Sequence, residues 1–139
     1  MLKVDYVVGL VDGEGSFSAA MRKPKKATWN TRIECYFAIK MREDDLMLLE
    51  KIRKFFGCGS IFFQKEYRTN QRDNYRYQVS NKTELVNIII PFFKKHQLQS
   101  KRVRDFKIFC EIVNMALRKE HHARKGLARI RGLKNQMHA

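Results

Sequence analysis

The residue with the most suggestive chemistry in this chain is Glu14. It stands between Gly13 and Gly15, at the end of an apolar run that begins near Val4. A carboxylate there, beside a backbone carbonyl such as that of Gly13, offers oxygen donors to a hard cation such as Mg²⁺ or Mn²⁺. Divalent cations held against a phosphodiester activate water, clamp the phosphate and stabilise the leaving oxygen. The flanking glycines let the backbone bend and let another chain or a nucleic acid come close. An acid between two glycines is equally an ordinary turn residue, so the rest of the chain has to decide. Lys101 is a second candidate: near such a site a lysine stabilises developing negative charge or orients water. Its plainer role is a phosphate-positioning or solvated cation. His96, His121, His122 and His138 show no HExxH or paired-ligand spacing and receive no role.

The charge balance narrows the partners. The 139 residues include 29 Lys and Arg against 14 Asp and Glu, a net charge of +15. Such a field attracts polyanions. Nucleic acid leads, ahead of an anionic membrane surface or an RNA-rich assembly. Most of the excess lies in residues 94–139, whereas the first twenty residues carry Asp5, Asp12 and Glu14 against Lys3. An acidic spot hinders a pure phosphate binder, but a nuclease needs one to hold metal. The three cysteines, Cys35, Cys58 and Cys110, are odd in number and form no CxxC pair, which argues against a disulfide scaffold or zinc ribbon. They read as free, buried thiols in a reducing compartment. Neither a signal peptide nor an apolar stretch of spanning length is seen. The expected location is therefore intracellular, in a bacterial cytoplasm or an organelle, with no membrane partner.

Periodicity places these residues on elements. Val4, Val7, Val8 and Val11 predict a helix over 2–12, ended by Gly13 and Gly15. Residues 15–22 alternate as a strand, 23–30 form a basic turn around Pro24, and 31–41 alternate with Ile33, Cys35, Phe37, Ile39 and Met41 inward. A helix over 43–56 stops at Gly57. Residues 59–67 and 74–80 read as a second strand pair. Asn81 and Glu84 have capping-box spacing before a third helix, which Pro91 should kink. Ser100 caps a fourth, with Val103, Phe106, Cys110, Val113 and Leu117 as its stripe. Residues 121–139 read as a basic, helical C-terminal extension to a single domain over 1–120. The α-β-β-α-β-β-α order makes an α+β fold, an antiparallel sheet with helices on one face.

The outward faces of those strands carry hydrogen-bonding residues: Ser16, Ser18 and Arg22; Arg32, Glu34, Tyr36 and Lys40; Gln64, Glu66 and Arg68; Asn74, Arg76 and Gln78. A β-ribbon can enter the DNA major groove, where Arg reads guanine and Asn or Gln reads adenine. Any antiparallel sheet has one solvated polar face, so the two readings stand side by side. Trp29 and Tyr36 either stack on a ligand or pack. On the first helix, Gly9 and Gly13 share a face and permit close helix contact. With one copy per chain, the partner helix belongs to a second subunit. Val8, Gly9, Asp12 and Gly13 then form a two-fold interface that brings two Glu14 carboxylates together.

Val7-Val8-Gly9-Leu10-Val11-Asp12-Gly13-Glu14-Gly15, followed by Ser16-Phe17, resembles the motif of the LAGLIDADG homing endonucleases. The stretches REDDLMLLEKIRKFFG and LQSKRVRDFKIFCEIV are similar to family sequence as well, and the resemblance covers roughly residues 4–117. It implies a saddle-shaped sheet over DNA and a homodimer with the motif helices at its centre. Glu14 would bind metal with backbone carbonyls near Gly13, and Lys101 would lie near the cleavage centre. The implied activity is Mg²⁺-dependent double-strand cleavage of a long, pseudo-palindromic site, leaving short 3′ overhangs, in intron homing. Family members often place a polar residue near the metals at the end of the second strand. Here Met41, beside Lys40, departs from that pattern. Asp12 reads as structural. Two alternatives stand beside this one: a maturase that binds intron RNA, and a cleavage-inactive DNA-binding regulator, against which an intact Glu14 argues.

Overall fold

Helix α1 (Val4–Glu14) runs straight into strand β1 (Gly15–Arg22), with no linker between them. The computed structural model describes residues 1–23 and 31–138; the expected basic turn around Pro24, and Trp29 with it, lie outside the described residues. Strand β2 (Arg32–Arg42) pairs back on β1 and leads through a 3₁₀ turn, Glu43–Asp45, into helix α2 (Leu46–Phe56). Gly57 ends that helix in the left-handed region, φ 71°, a conformation glycine adopts at little steric cost. Strands β3 (Ser60–Gln64) and β4 (Asn74–Val79) follow. The Asn81 side chain then accepts the Glu84 backbone N–H at 3.1 Å and caps α3 (Lys82–Glu84). A π-helical turn, Leu85–Ile89, joins α3 to α4 (Ile90–Lys95). Pro91 sits at the start of α4, so the expected irregularity takes the form of one widened turn rather than a break. Helix α5 (Arg102–Leu117), a 3₁₀ turn at Glu120–His122 and helix α6 (Arg124–Gln136) complete the described chain.

The sheet has the order β1-β2-β4-β3 and is antiparallel throughout. Its inner face supplies Phe17, Ile33, Cys35, Phe37, Ile39, Tyr77 and Val79, all almost fully buried. Phe17 stacks on Phe37 at 5.2 Å and meets Phe93 and Phe106 edge-on at 5.7 and 5.2 Å. One aromatic cluster thus ties β1 and β2 to α4 and α5; aromatic pairs of this kind contribute about 0.5–1.5 kcal/mol beyond area burial. Tyr77 is buried with its hydroxyl donating to the Cys58 carbonyl at 2.8 Å. Cys35, Cys58 and Cys110 are free and buried, and burial pushes the Cys35 and Cys110 thiols up to about 11. No helix among the described residues is long and apolar enough to cross a membrane.

Three details differ from the sequence expectation. Gly13 does not end α1: the helix continues through it, and Glu14 is the last helical residue. The position that demands glycine is Gly15, where a Cβ would fall 2.6 Å from Cγ1 of Val11. Strand β3 stops at Gln64, so Arg68 does not sit on the sheet but in the following loop. There it pairs with Glu66 at 2.9 Å and holds that carboxyl down at about 2. Finally, α5 buries more than its expected stripe, of which Phe106, Cys110 and Val113 are buried and Val103 partly so. Ile108, Phe109, Ile112 and Met115 are buried too, while Leu117 is 44% exposed. The reason is that α5 packs against both the sheet and α6, which buries Ile130 completely.

Candidate functional site

The end of α1 is fixed by a turn far along the chain. The Asp12 carboxylate accepts the backbone N–H groups of Gln99, at 2.9 Å, and Ser100, at 2.9 Å. Burial pushes the Asp12 carboxyl toward its neutral form, raising its pKa, but these hydrogen bonds and the Arg102 guanidinium outweigh it and hold the carboxyl below its ordinary value. Arg102 donates to the carbonyls of Asp12 at 2.6 Å and Gly15 at 2.5 Å. It takes up carbonyls near the helix end that have run out of intrahelical donors. The start of α5 is thereby locked onto the end of α1. This lock, through Arg102, was beyond the reach of sequence spacing, because its partners are 87 and 90 residues apart.

Glu14 sits on the outside of that lock. It is exposed and has no hydrogen-bond or ion-pair partner among the described residues. Lys101, also exposed, lines a cleft of about 240 Å³ with Gly15, Ser16, Arg102, Asp105 and His138. The structure therefore brings Lys101 to the strand that begins one residue after Glu14. Among the described residues, no three His, Cys, Asp or Glu converge within one chain. Mg²⁺ typically uses one or two protein carboxylates and fills the remaining positions with water and substrate phosphate. An open carboxylate at a helix end, with the Gly13 carbonyl in the same turn, fits that donor chemistry. A dedicated protein cage is not required.

The outer face of α1 is open. Gly9 and Gly13 are exposed, and a Cβ on either would meet nothing within 4 Å. Val8 and Asp12 are partly buried, and Asp12 turns its carboxylate into its own chain.

The polar sheet face is continuous across all four strands. The register sets Ser16 opposite Ala38, Ser18 opposite Tyr36 and Arg22 opposite Arg32. It sets Lys40 opposite Arg76 and Arg42 opposite Asn74, and the last pair continues to Gln64 on β3. Arg42 escaped sequence reading because β2 runs one residue further than its alternation suggested. Glu34 accepts from Arg22 at 3.0 Å, from Arg32 at 2.9 Å and from Tyr36, and its carboxyl is lowered by the Tyr36 hydroxyl first and Arg22 next. Arg76 Nε donates to Gln78 Oε1 at 2.9 Å. Phe62 lies opposite Arg76 on the same face and is 49% exposed. Sequence reading missed it, although two consecutive phenylalanines on one strand must point to opposite faces. At the inner end, Lys40 is exposed while Met41 packs against the core.

A family model described as LAGLIDADG endonuclease matches residues 7–113. The chain belongs to the LAGLIDADG endonuclease family. A Neurospora crassa protein named probable intron-encoded endonuclease 2 is 36% identical over 132 residues, which are 93% of this chain and 28% of that protein. Of solved structures, the homing endonuclease I-TnaI matches with TM-score 0.86 at 34% identity, covering 99% of this chain and 89% of that one. I-SmaMI, described as bound to uncleaved DNA target in the presence of calcium ions, matches with TM-score 0.87 at 32% identity, covering 99% of this chain and 45% of that one. The expected fold, an antiparallel sheet with helices on one face, is that of these family members. The chain spans less than a third of the Neurospora relative and under half of I-SmaMI.

Proposed function

We propose that this chain is a subunit of a sequence-specific DNA endonuclease that works as a homodimer, with Glu14 of each copy holding a divalent cation, Mg²⁺ or Mn²⁺. The observation that carries the reading is the placement of Glu14. It is exposed and unpaired among the described residues, at the meeting point of an open glycine helix face, a cleft holding Lys101, and the start of a cationic sheet face. When bound, the cation supplies activation of water and neutralisation of phosphate charge.

The chain's own groups divide the remaining work. Glu14 and the Gly13 carbonyl hold the cation. Lys101 lies close enough to offset charge on a phosphate at the cleft. Arg102 and Asp12 keep Lys101 and Glu14 in fixed relation. The strand face reads bases through Ser16, Ser18, Arg22, Arg32, Glu34, Tyr36, Lys40, Gln64, Asn74, Arg76 and Gln78. Arg68, in its loop, serves at most as a phosphate contact. Residues 1–120 carry this work, and the basic stretch 121–139 is an extension seated through Ile130.

Two copies complete the site. Gly9 and Gly13 offer an unobstructed helix face, flanked by the partly buried Val8 and Asp12, and joining two such faces brings two Glu14 carboxylates to one axis. Covering 45% of I-SmaMI, the chain has the proportion of one of two like halves. The target is then a pseudo-palindrome of roughly 20 base pairs, cut to short 3′ overhangs in the course of intron homing. The relatives' names, intron-encoded and homing endonuclease, support that setting.

The test is cleavage of a randomised plasmid library with Mg²⁺ and with EDTA. Site-specific double-strand breaks only with Mg²⁺ support the reading. Intact DNA together with tight binding to structured intron RNA replaces it with the maturase.

A further inference from the structure

Phe62 is out of place for a solvated strand face. It stands on the outer side of β3, 49% exposed, in a shallow depression lined by Arg22, Tyr36, Gln64, Arg76 and Gln78. Its neighbour Phe63 points the other way and meets the Tyr75 ring at 5.3 Å. Phe62 has no such aromatic partner among the described residues. Everything polar around it can hydrogen-bond to bases or phosphates, and Phe62 can do neither.

We infer that Phe62 is a specificity residue that reads the C5-methyl group of a thymine in the major groove, at the base pair next to the guanine read by Arg76. This rests on the DNA-binding reading above and extends it to one base step. Thymine is the only ordinary base whose major-groove edge carries an apolar group, and Phe is among the side chains that meet it. Arg76 supplies the adjoining contact. Its Nε is occupied by Gln78 at 2.9 Å, which fixes the guanidinium plane and leaves the terminal amino groups for guanine O6 and N7. Phe62 and Arg76 are direct cross-strand partners. Such partners have Cβ atoms about 4.5–5.5 Å apart, and successive bases along one strand are about 3.4 Å apart. Two side chains at that separation reach neighbouring base pairs rather than one and the same. The surrounding cations, Arg22, Lys40 and Arg42, hold the duplex against this face, so the occupant is DNA rather than an apolar protein surface.

The experiment uses the full chain and duplexes recovered from a randomised library by the wild-type protein. Each thymine is replaced in turn by uracil, which removes only the methyl group, and dissociation constants are measured for wild type, Phe62→Ala and Phe63→Ala. Burying one methyl group corresponds to about a fourfold change in affinity. The expected result is one thymine per half-site, beside a guanine, whose change to uracil weakens wild-type binding about fourfold. That penalty disappears in Phe62→Ala and persists in Phe63→Ala, and 5-methylcytosine at the same position binds more tightly than cytosine. Because Phe62 is half exposed, Phe62→Ala should fold; an unchanged melting temperature verifies it. Specific binding in which no uracil substitution matters, or in which the penalty survives Phe62→Ala, overturns this inference alone. Absence of specific DNA binding by wild type overturns it together with the endonuclease reading.

Discussion

The carboxylate of Asp12 accepts the backbone N–H of Ser100 at 2.9 Å, across 88 residues of chain. With the matching bond from Gln99, it pins the turn before α5 to the end of α1. Lys101 follows that turn directly, so the same carboxylate sets where Lys101 stands relative to Glu14. Asp12→Ala should therefore destabilise the fold by roughly 2 kcal/mol, the scale of hydrogen bonds to a charged group. Cleavage should fall further than the melting temperature alone predicts. Chemical denaturation and single-turnover kinetics at a temperature where the variant is folded separate the two effects. An inactive variant with unchanged stability would mean that Asp12 acts on substrate rather than on the turn.

Replacing Glu14 with Gln keeps the shape and removes the ligand charge. Target binding should stay within about threefold, while cleavage drops by a hundredfold or more, the scale seen when a preorganised charge-stabilising group is lost. EDTA should act on the wild type in the same way. Substantial Mg²⁺-dependent cutting by Glu14→Gln would remove Glu14 from the metal site.

Gly9→Leu distinguishes an interface from a merely small residue. Within one chain the new side chain enters open space, and leaving glycine in a helix interior favours the helix by about 0.5–1 kcal/mol. The subunit should thus melt no lower than wild type, yet sediment as a monomer and lose double-strand cleavage. If it remains a dimer, the subunits meet elsewhere.

Arg76→Ala should relax discrimination at one base position in each half-site by about 1–3 kcal/mol. A binding-site selection on the variant shows this as one degenerate column. A uniform loss across all sequences, with a shallower salt dependence, would reassign Arg76 to a phosphate.

Acid should weaken the fold through His121. Its Nδ1 is buried without a partner among the described residues. Burial first, then the charges of His122 and Lys82, lower its basicity. Arg32, Glu34 and Lys119 line the same cleft. The unfolded chain then takes up the proton more readily than the folded one. Stability is full above the ordinary histidine value of about 6.5 and declines as the pH falls below it, until the folded state protonates too. The carboxylates with lowered values, Asp12, Glu34 and Glu66, contribute their loss only at lower pH. A melting temperature measured between pH 7.5 and 5.5 should drop for wild type and drop less for His121→Phe.

Much of this was legible in residue order because local rules governed it. Strict alternation located β1 and β2, Gly57 ended α2, and Asn81 capped α3. Where long-range packing decided, the pattern was silent or misleading. Gly13 looked like a terminator, but the helix is held to Glu14 by Arg102 and Asp12, whose partners are distant in sequence. The wider burial of α5 depends on α6 packing against it as well as the sheet. Arg68 fell off the sheet because Asp73 accepts the Glu66 backbone N–H at 2.8 Å and bends the chain into a loop. Phe62 carried no signal of its own, because an apolar residue on a half-buried strand ordinarily faces the interior.

On every strand, odd-numbered residues face the helices and even-numbered residues face outward: Phe17 against Ser18, Phe37 against Tyr36, Ile61 against Phe62, Tyr77 against Arg76. The register keeps this parity in step across all three strand pairings. Half of the sheet is thus answerable to folding and the other half, apart from the buried Ala38, is free to vary. A lineage selected for a different DNA sequence can edit the even positions one at a time without reopening the interior, and a saturation scan of the four strands should show tolerance alternating with a period of two residues.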